Sequence, residues 1–463
     1  MVRKIWIVAL AACGSTSKPP LPAWSKSLPD SSVMGSWRGY AASRGIIHLH
    51  SPYSWDACDD MPRDPLPLGT VNEACLDDLR TALCTENIDF ADLTDHGDTM
   101  SDEDFPTLFN MRGSDTAIMD PTTGDQIASQ MTCDDGHVVT ITVGTENSIM
   151  PIMLHHHVPG AQADREAIYT AYTPDAVAAF RDAGGLAWIA HTEQHPIADL
   201  RMLQPDGIEV YNLHANIDPK IRGPYLGLDP TGAIDAALQF TAGGPNGPEP
   251  DLALLSFLEV NQPAVTAWNQ ALGDGRHLPA TAGSDAHQNA LPTIMPDGER
   301  GDSYRRVLRW FGNVVLVHDR NDPTEIESAL AAGRLFAVFE MLGTPTGFDI
   351  HATTPAGAVA ELGDTVQTGA TLVVAIPTIL GLDPSLPAPE IHATVLHVDA
   401  TGATPVATND VGGQIELPLV EPGAYRVEIT MVPHHLGPYL GDLGPSSAEV
   451  EVPWIYASPI YVQ

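Results

Sequence analysis

The stretch that decides the fold reads GIIHLHSPYSWD and runs from Gly45 to Asp56. Its apolar start predicts a β-strand, and His48 and His50 lie two residues apart near the end of that strand. Because side chains alternate with a period of two along a strand, both imidazoles are expected on one face. Two imidazoles on one face are half of a metal site. The rest of the chain is then expected to supply carboxylates and further imidazoles at strand ends.

Side chains of metal-ligand type do recur where later β-prone segments end. In chain order they are Asp56, His96, Glu146, the run His155 to His157, His191, Asp285 and His287. An acidic residue just past a buried strand is a poor structural choice without a partner, so Glu146 is a candidate ligand. In an extended run, His155 and His157 share one face and His156 the other, so at most two of the three are expected to face a common site.

Strand and helix patterns alternate between residues 43 and 340. Leucines at helical spacing predict a helix from Val71 to about Thr85, and a second amphipathic helix is predicted from Pro174 to Ala183. The apolar segment Leu186 to Ala190 reads as a buried parallel strand and ends in His191. Alternating strands and helices with polar groups at the carboxyl ends of the strands predict a parallel α/β barrel.

From about Gly343 the composition changes to short segments rich in Val, Ile, Thr and Leu, separated by Gly, Pro and Asp turns. This pattern predicts an antiparallel β-sandwich over residues 344–463. The region has no comparable cluster of ligand-type side chains, and His434 and His435 are expected at its surface.

The first twelve residues read as a signal segment. Arg3 and Lys4 precede the apolar run Ile5 to Ala12, which is too short to span a bilayer, and Cys13 follows. The pattern resembles a bacterial lipoprotein signal peptide, which implies cleavage before Cys13, a lipid anchor on its thiol, and a periplasmic or cell-surface location. A plain secretory signal and a buried N-terminal strand are the alternatives. Residues 13–42 are then expected to form a tether.

Charge and cysteine content narrow the function classes. Lys and Arg number 22 against 59 Asp and Glu, a formal net charge of −37, which disfavours nucleic acid as a partner. After export, Cys58, Cys75, Cys84 and Cys133 are expected to form two disulfides in one of three connectivities. Cys58 lies close to the metal stretch, and its alternative roles are a ligand or a free thiol.

The ordered set of groups resembles the PHP (polymerase and histidinol phosphatase) metallohydrolases. The resemblance lies in HLHSxxSxD, TDHG, GTE and GSDAH together with the later histidines, and covers about Arg44 to Phe339. The chain also looks like the exported subset with a C-terminal β-domain, some members of which are carbamate-hydrolase-like, because Trp454 to Tyr461 is similar to that subset's closing strand. The resemblance implies a distorted (β/α)7 barrel.

The resemblance also implies a site for two or three divalent ions. The ligands implied for one ion are His48, His50, Glu146 and Asp285. Those implied for a second are Glu146, His155 and His191, with His156 or His157 as alternatives to His155 and His195 as an alternative to His191. Those implied for a third are Asp56, His96 and His287. Glu146, Asp285 and His191 are the expected catalytic residues.

Imidazole and carboxylate ligands without thiolate suit Zn, Mn or Fe. Such ions lower the pKa of water from about 15.7 toward about 7, so a hydroxide bridging two of them is expected to attack phosphorus or a carbonyl carbon. The sequence thus predicts a phosphoesterase for a small phosphate mono- or diester. The alternatives are a carbamate, amide or ester hydrolase and a non-catalytic surface binding protein. Glu209, Asn212 and His214 are expected to support the ligands or to contact substrate.

Overall fold

The computed structural model describes residues 21–64 and 69–463. The predicted signal segment, Cys13 and the start of the predicted tether lie outside the described residues. The rest of the predicted tether is packed: Leu28, Met34 and Trp37 are buried, and strands begin at Ser36. No helix among the described residues is long and apolar enough to cross a bilayer.

The strands fall into two series along the chain. The first comprises β1 (Ser36–Trp37), β2 (Tyr40–Leu49), β3 (Arg63–Asp64), β4 (Thr70–Val71), β5 (Phe90–Leu93), β6 (Thr116–Met119), β7 (Gln126–Thr132), β8 (Val138–Val143), β9 (Ile149–Ile152), β10 (Leu186–Ile189), β11 (Gly207–Asn212), β12 (Ala280–Ala286), β13 (Gly312–Val317) and β14 (Leu335–Val338). The second comprises β15 (Pro345–Thr346), β16 (Asp349–Thr353), β17 (Val359–Ala360), β18 (Thr365–Val366), β19 (Thr371–Ala375), β20 (Thr378–Ile379), β21 (Glu390–Asp399), β22 (Gly402–Asn409), β23 (Gln414–Pro418), β24 (Gly423–Val432), β25 (Val452–Ala457) and β26 (Ile460–Val462).

The helices lie almost entirely in the first part of the chain. The α-helices are α1 (Ala57–Asp60), α2 (Glu73–Thr85), α3 (Gly97–Met100), α4 (Gln162–Tyr169), α5 (Pro174–Asp182), α6 (Ile197–Leu203), α7 (Leu213–Ile217), α8 (Pro219–Arg222), α9 (Gly232–Leu238), α10 (Gln262–Gly273), α11 (Tyr304–Leu308) and α12 (Pro323–Ala332). The 3₁₀ helices are Ser31–Met34, Phe105–Phe109, Thr192–Gln194, Gln239–Thr241, Pro250–Phe257, Glu340–Leu342, His434–Leu443 and Ser446–Ala448.

Both predicted helices form, with sharper ends than the periodicity indicates. Strand β4 takes up Val71, and α2 begins after Asn72, whose side chain accepts a hydrogen bond from the Cys75 backbone N–H. Thr173 caps α5 in the same way, and Gly184 follows that helix with a φ of 86°. The leucine stripe of α2 is buried, as its spacing predicts.

Parallel strands dominate the sheet of the first part. In the order β10, β11, β12, β2, β5 and β8, each strand pairs in parallel with the next. Strand β9 is antiparallel to β10. Two backbone hydrogen bonds also connect the region of β9 with the end of β8. Leu154 N–H donates to Val143 O (2.7 Å), and Thr145 N–H donates to Pro151 O (3.0 Å). The carboxyl ends of the parallel strands therefore meet at one edge.

The second part is built from antiparallel strands. One group pairs β22, β21, β24 and β25, and a separate sheet has the order β17, β16, β19, β23. Because β25 also pairs with β14, the predicted domains over residues 43–340 and 344–463 share a sheet. The predicted α/β class is confirmed as a mixed α/β fold with large sheets.

Two disulfides settle the connectivity that the sequence left open. Cys58 pairs with Cys75, and Cys84 pairs with Cys133. With its sulfur in a disulfide, Cys58 is neither a free thiol nor a metal ligand. This bond ties the loop that carries Asp56 to helix α2.

Candidate metal centre

Three of the candidate metal ligands have a backbone with positive φ, in the left-handed region. His48, His191 and Asp285 have φ angles of 68°, 47° and 50°. Such φ values are uncommon for residues other than glycine and cost about 1–3 kcal/mol each, and they concentrate at functional sites. At His48 the left-handed residue interrupts the strand alternation, since Ile47 also packs inside the ring of strands. His48 and His50 do share a face, as predicted. The strand is nevertheless irregular at His48, and a strict alternation with a period of two does not predict this irregularity.

Four buried side chains meet at the carboxyl edge of the parallel strands. His48 Nε2 lies 3.5 Å from Glu146 Oε1 and 3.5 Å from Asp285 Oδ1. His50 Nε2 lies 3.6 Å from Glu146 Oε2 and 3.4 Å from Asp285 Oδ1. Tetrahedral ligands at bond lengths of about 2.0–2.1 Å are about 3.3–3.4 Å apart. The separations are therefore close to those between ligand atoms around one divalent ion.

Several atoms of this cluster are buried without a hydrogen-bond partner. They are His48 Nε2 and His50 Nε2, which face Asp285 Oδ1, and Asp285 Oδ2, which faces His191 and His214. A buried polar atom left unpaired costs about 1–3 kcal/mol, so three together need an explanation. A bound cation supplies the missing partner to each of them. The residues present thus fit divalent metal ions, in agreement with the metal chemistry that the sequence predicts.

Carboxylates on the outer side set the orientation of two imidazoles. His48 Nδ1 donates to Glu209 Oε1 at 2.6 Å, because an ionised carboxylate only accepts. His191 Nδ1 lies 3.2 Å from Glu193 Oε1, and Asn261 Nδ2 donates to the other Glu193 oxygen at 2.9 Å. The Nε2 atom of each ring is therefore turned toward the cluster. This carboxylate–imidazole–metal arrangement is the usual support of metal-bound histidines.

Glycine makes room for one of these carboxylates. A Cβ added at Gly283 would lie 1.8 Å from Glu209 Oε1, so an alanine there would displace the carboxylate. Gly283, the glycine of the GSDAH motif, is therefore needed to leave space for the Glu209 carboxylate that orients His48.

A second group of ligand atoms lies on the other side of His50. His96 Nε2 is 3.3 Å from Asp56 Oδ2, and His96 Nδ1 is 3.3 Å from Glu146 Oε2. Ser54 Oγ donates to Asp56 Oδ1 at 2.7 Å and lies 2.9 Å from His50 Nδ1, so it accepts from that ring. The rings of Trp55 and His96 stack with centroids 5.3 Å apart. Asp56 and His96 are thus placed together, as the PHP resemblance implies.

A third group contains a residue that the sequence placed only in a supporting role. His214 Nδ1 and His191 Nε2 each lie 3.2 Å from Asp285 Oδ2, and His191 Nε2 also lies 3.2 Å from Glu146 Oε1. His287 Nε2 is 3.5 Å from His214 Nδ1. The signal for His214 in the sequence is its place just past β11, the same strand-end rule that identified the other groups.

The structure does not bring the predicted ligand His155 into the clusters. His155 Nε2 lies 3.0 Å from Glu327 Oε2, outside the clusters that the described residues form. The reason is strand direction: β9 runs antiparallel to β10, so the residues after it lie at the opposite sheet edge from His191. His157 is held there by Glu103 O, and His156 is exposed, so neither alternative replaces it. His195, the alternative to His191, contacts the Tyr172 hydroxyl instead.

The carboxylates and imidazoles of the cluster shift one another's pKa values toward the charged forms. Burial alone would raise the pKa of Glu146 and of Asp285, but the facing His48 and other imidazoles hold both pKa values well below their usual range. Burial opposes the charge on His48, yet Glu209 and its fellow carboxylates raise the pKa of that ring to about 10. Burial lowers the pKa of His287 to about 4. The anionic carboxylates and the neutral His287 are ready to bind a cation, whereas His48 must first release a proton.

No protein-family model and no curated protein sequence matches the chain. A structure comparison finds a two-domain protein containing a predicted PHP-like metal-dependent phosphoesterase from Bacteroides vulgatus, at 12% identity and a TM-score of 0.35, covering 92% of this chain and 98% of that one. It also finds PsfC from Pseudomonas syringae, at 13% identity and a TM-score of 0.32, covering 62% of this chain and 88% of that one. The chemistry of this site rests on its own side chains.

Proposed function

We propose that the protein is a metal-dependent hydrolase of the PHP type that cleaves a small phosphate mono- or diester. The observation that carries the proposal is the cluster of buried imidazole and carboxylate atoms 3.4–3.6 Å apart at the strand ends, in which His48 Nε2 and His50 Nε2 have no hydrogen-bond partner. Strand β9 and the six parallel strands form a ring, and this ring supports a distorted (β/α)7 barrel as the fold of the first part. The antiparallel strands after Gly343 suit a sandwich packed against it.

The ions would be held at two or three adjoining positions. The residues for the first are His48, His50, Glu146 and Asp285. Those for the second are Asp285, His191, His214 and His287, with Glu146 beside His191, and those for the third are His50, Asp56 and His96. Zn, Mn and Fe all suit this donor set. Divalent ions bound here supply Lewis acidity and lower the pKa of water toward about 7.

The chain's own side chains do the positioning. Glu146 and Asp285 stay ionised and each faces imidazoles from several strands, so they join neighbouring positions. Glu209 and Glu193 hold His48 and His191 with the Nε2 atoms inward. Burial of these groups excludes water and strengthens each electrostatic contact within the site.

We also propose that the chain is exported and lipid-anchored through Cys13, in the periplasm or at the cell surface. The signal-like start of the sequence supports this location. Two disulfides support it as well, because disulfides persist mainly in oxidising compartments. A mass increase of diacylglycerol size on Cys13 after expression in bacteria is the expected result, and its absence would leave only a secretory signal.

The test of the activity is an assay of metal-loaded protein with p-nitrophenyl phosphate, bis-p-nitrophenyl phosphate and an aryl carbamate. We expect turnover of a phosphate ester and its loss in His48→Ala. His155→Ala is the matched control, since it removes a carboxylate-paired imidazole outside the clusters. Retained turnover in His48→Ala would refute the site, and no turnover by metal-loaded protein would favour a non-catalytic binding protein.

A carbamate, amide or ester hydrolase is the second candidate. The observation that favours it is a cleft next to His214 and His287 that no Lys or Arg lines within the described part of the chain. A phosphate monoester carries two negative charges near neutral pH, whereas a carbamate carries none. Turnover of the aryl carbamate without turnover of either phosphate would select this candidate.

A further inference from the structure

A cleft of about 320 Å³ opens directly beside the metal centre. One wall is formed by His214, Asp285 and His287, which make up one of the ligand clusters. The other side chains that line the cleft are mainly apolar. Leu213, Ile217, Pro219, Ile234, Ala290 and Val307 form its apolar wall. Any molecule whose reacting atom lies at the metal centre therefore has an apolar surface within reach on this side.

A smaller cavity continues the apolar wall inward. It measures about 60 Å³ and shares Ile217, Ile234 and Val307 with the cleft. The side chains that complete it include Ala237, Leu254, Phe257 and Trp310. Apart from Asp302, which lines both cavities, the side chains of this space are aliphatic and aromatic, which is the lining expected for an apolar part of a ligand.

The remaining charges of the cleft do not suit an anion. Apart from the ligand cluster, its ionisable side chains are Asp218 and Asp302. Asp302 accepts hydrogen bonds from Arg300 Nε (2.6 Å) and from the backbone N–H of Leu291 (2.7 Å), so it is already engaged. Asp218 Oδ2 lies 3.5 Å from His214 Nε2. A carboxylate or phosphate placed against the apolar wall would be desolvated without a counter-charge.

We propose that this cleft is the specificity pocket of the enzyme and that it receives an uncharged aryl or branched alkyl group attached to the scissile centre. The proposal rests on the proposed hydrolase function. It narrows the substrate class to phosphate esters, carboxylic esters or carbamates that carry one bulky apolar substituent. Each methylene buried in the pocket is expected to strengthen binding about fourfold, from about 0.8 kcal/mol per methylene.

Hydroxamic acids test the pocket without requiring turnover, because the hydroxamate group chelates divalent ions whether or not the protein is a catalyst. Acetohydroxamate, benzohydroxamate and succinate monohydroxamate are titrated calorimetrically into zinc-loaded protein. We expect benzohydroxamate to bind at least about tenfold more tightly than acetohydroxamate, and the succinate derivative to bind no better than acetohydroxamate. Equal affinities, tightest binding of the succinate derivative, or no binding to zinc-loaded protein would overturn the proposal.

Ile234→Arg places a cation on the apolar wall and is expected to reverse the preference, with at least a tenfold loss for benzohydroxamate and a gain for the succinate derivative. Ile294→Arg is the matched control, because Ile294 is 65% exposed and does not line the cleft. Zinc stoichiometry and melting temperature of both variants separate a misfolded protein from a changed pocket. If Ile234→Arg misfolds, the hydroxamate series on the unmodified protein still decides the proposal.

The two proposals fail in different ways. Binding of the hydroxamates in the expected order by a protein that hydrolyses none of the ester or carbamate substrates would refute the hydrolase and keep the pocket. Hydrolysis with affinities that ignore the apolar tail would keep the hydrolase and refute the pocket.

Discussion

Replacing Glu209 by glutamine tests whether the metal centre depends on its outer carboxylate. Glu209 is buried and accepts three hydrogen bonds, from His48 Nδ1 at 2.6 Å, from the backbone N–H of His191 at 2.9 Å and from Asn212 Nδ2 at 3.1 Å. The first reaches one carboxylate oxygen and the other two reach the second. A glutamine has the same shape but only one acceptor oxygen, so its NH₂ must face at least one of these donors.

The size of the effect follows from that mismatch. A buried donor without an acceptor costs about 1–3 kcal/mol. Loss of a group that orients a metal-bound histidine typically weakens metal binding by about 10–100-fold, or about 1.4–2.7 kcal/mol. The two figures agree, so we expect Glu209→Gln to weaken zinc binding by about 10–100-fold and to lower hydrolysis in proportion at limiting zinc.

Zinc affinity is measured by competition with a chromogenic chelator. Glu327→Gln is the matched control, because Glu327 pairs with His155 at 3.0 Å outside the clusters, and it should leave zinc affinity within about twofold of the unmodified protein. A folded Glu209→Gln protein with unchanged zinc affinity would refute the role assigned to this carboxylate.

Further predictions concern ligands, pH and disulfides. His214→Ala should lower the number of bound zinc ions or weaken the last one by at least tenfold, whereas His155→Ala should leave both unchanged; the reverse result in elemental analysis would restore the sequence-based assignment. Burial raises the pKa of Asp92 from 3.8 to about 7, so its ionisation costs stability as pH rises between these values. Asp92→Asn should therefore raise the melting temperature relative to the unmodified protein more at pH 8 than at pH 5, and a pH-independent difference would contradict this. Replacing Cys84 and Cys133 by serine should lower the free energy of unfolding by about 4 kcal/mol for a separation of 49 residues, and a loss below about 1 kcal/mol in denaturant titrations would be inconsistent with the disulfide.

The ligand set could be read in large part from the sequence because its signals are local. Groups such as His50, Glu146 and Asp285 follow apolar β-prone runs, and parallel strands bring their carboxyl ends to one edge whatever the detailed packing. The helix α2 was predictable for the same reason, since its leucine spacing and the Asn72 cap lie within a few residues of each other.

His155 lies outside the clusters because of the direction of strand β9. Direction depends on the partner strand, and β9 pairs with β10, which lies more than thirty positions later in the sequence. Periodicity within β9 is the same for either direction. The position of His155 outside the clusters therefore follows from one non-local pairing.

What the sequence by itself determined is the presence, order and chemical type of a metal-binding set, together with the alternation of strands and helices that carries it. Only the tertiary structure decided which histidines enter the site, how Cys58 and its fellow cysteines pair, and that His48 reaches the cluster through left-handed backbone. It also decided that His214 joins Asp285 beside an apolar cleft. The physical reason is that ligand type is a property of each residue, whereas the meeting of side chains depends on pairings between strands far apart in the chain.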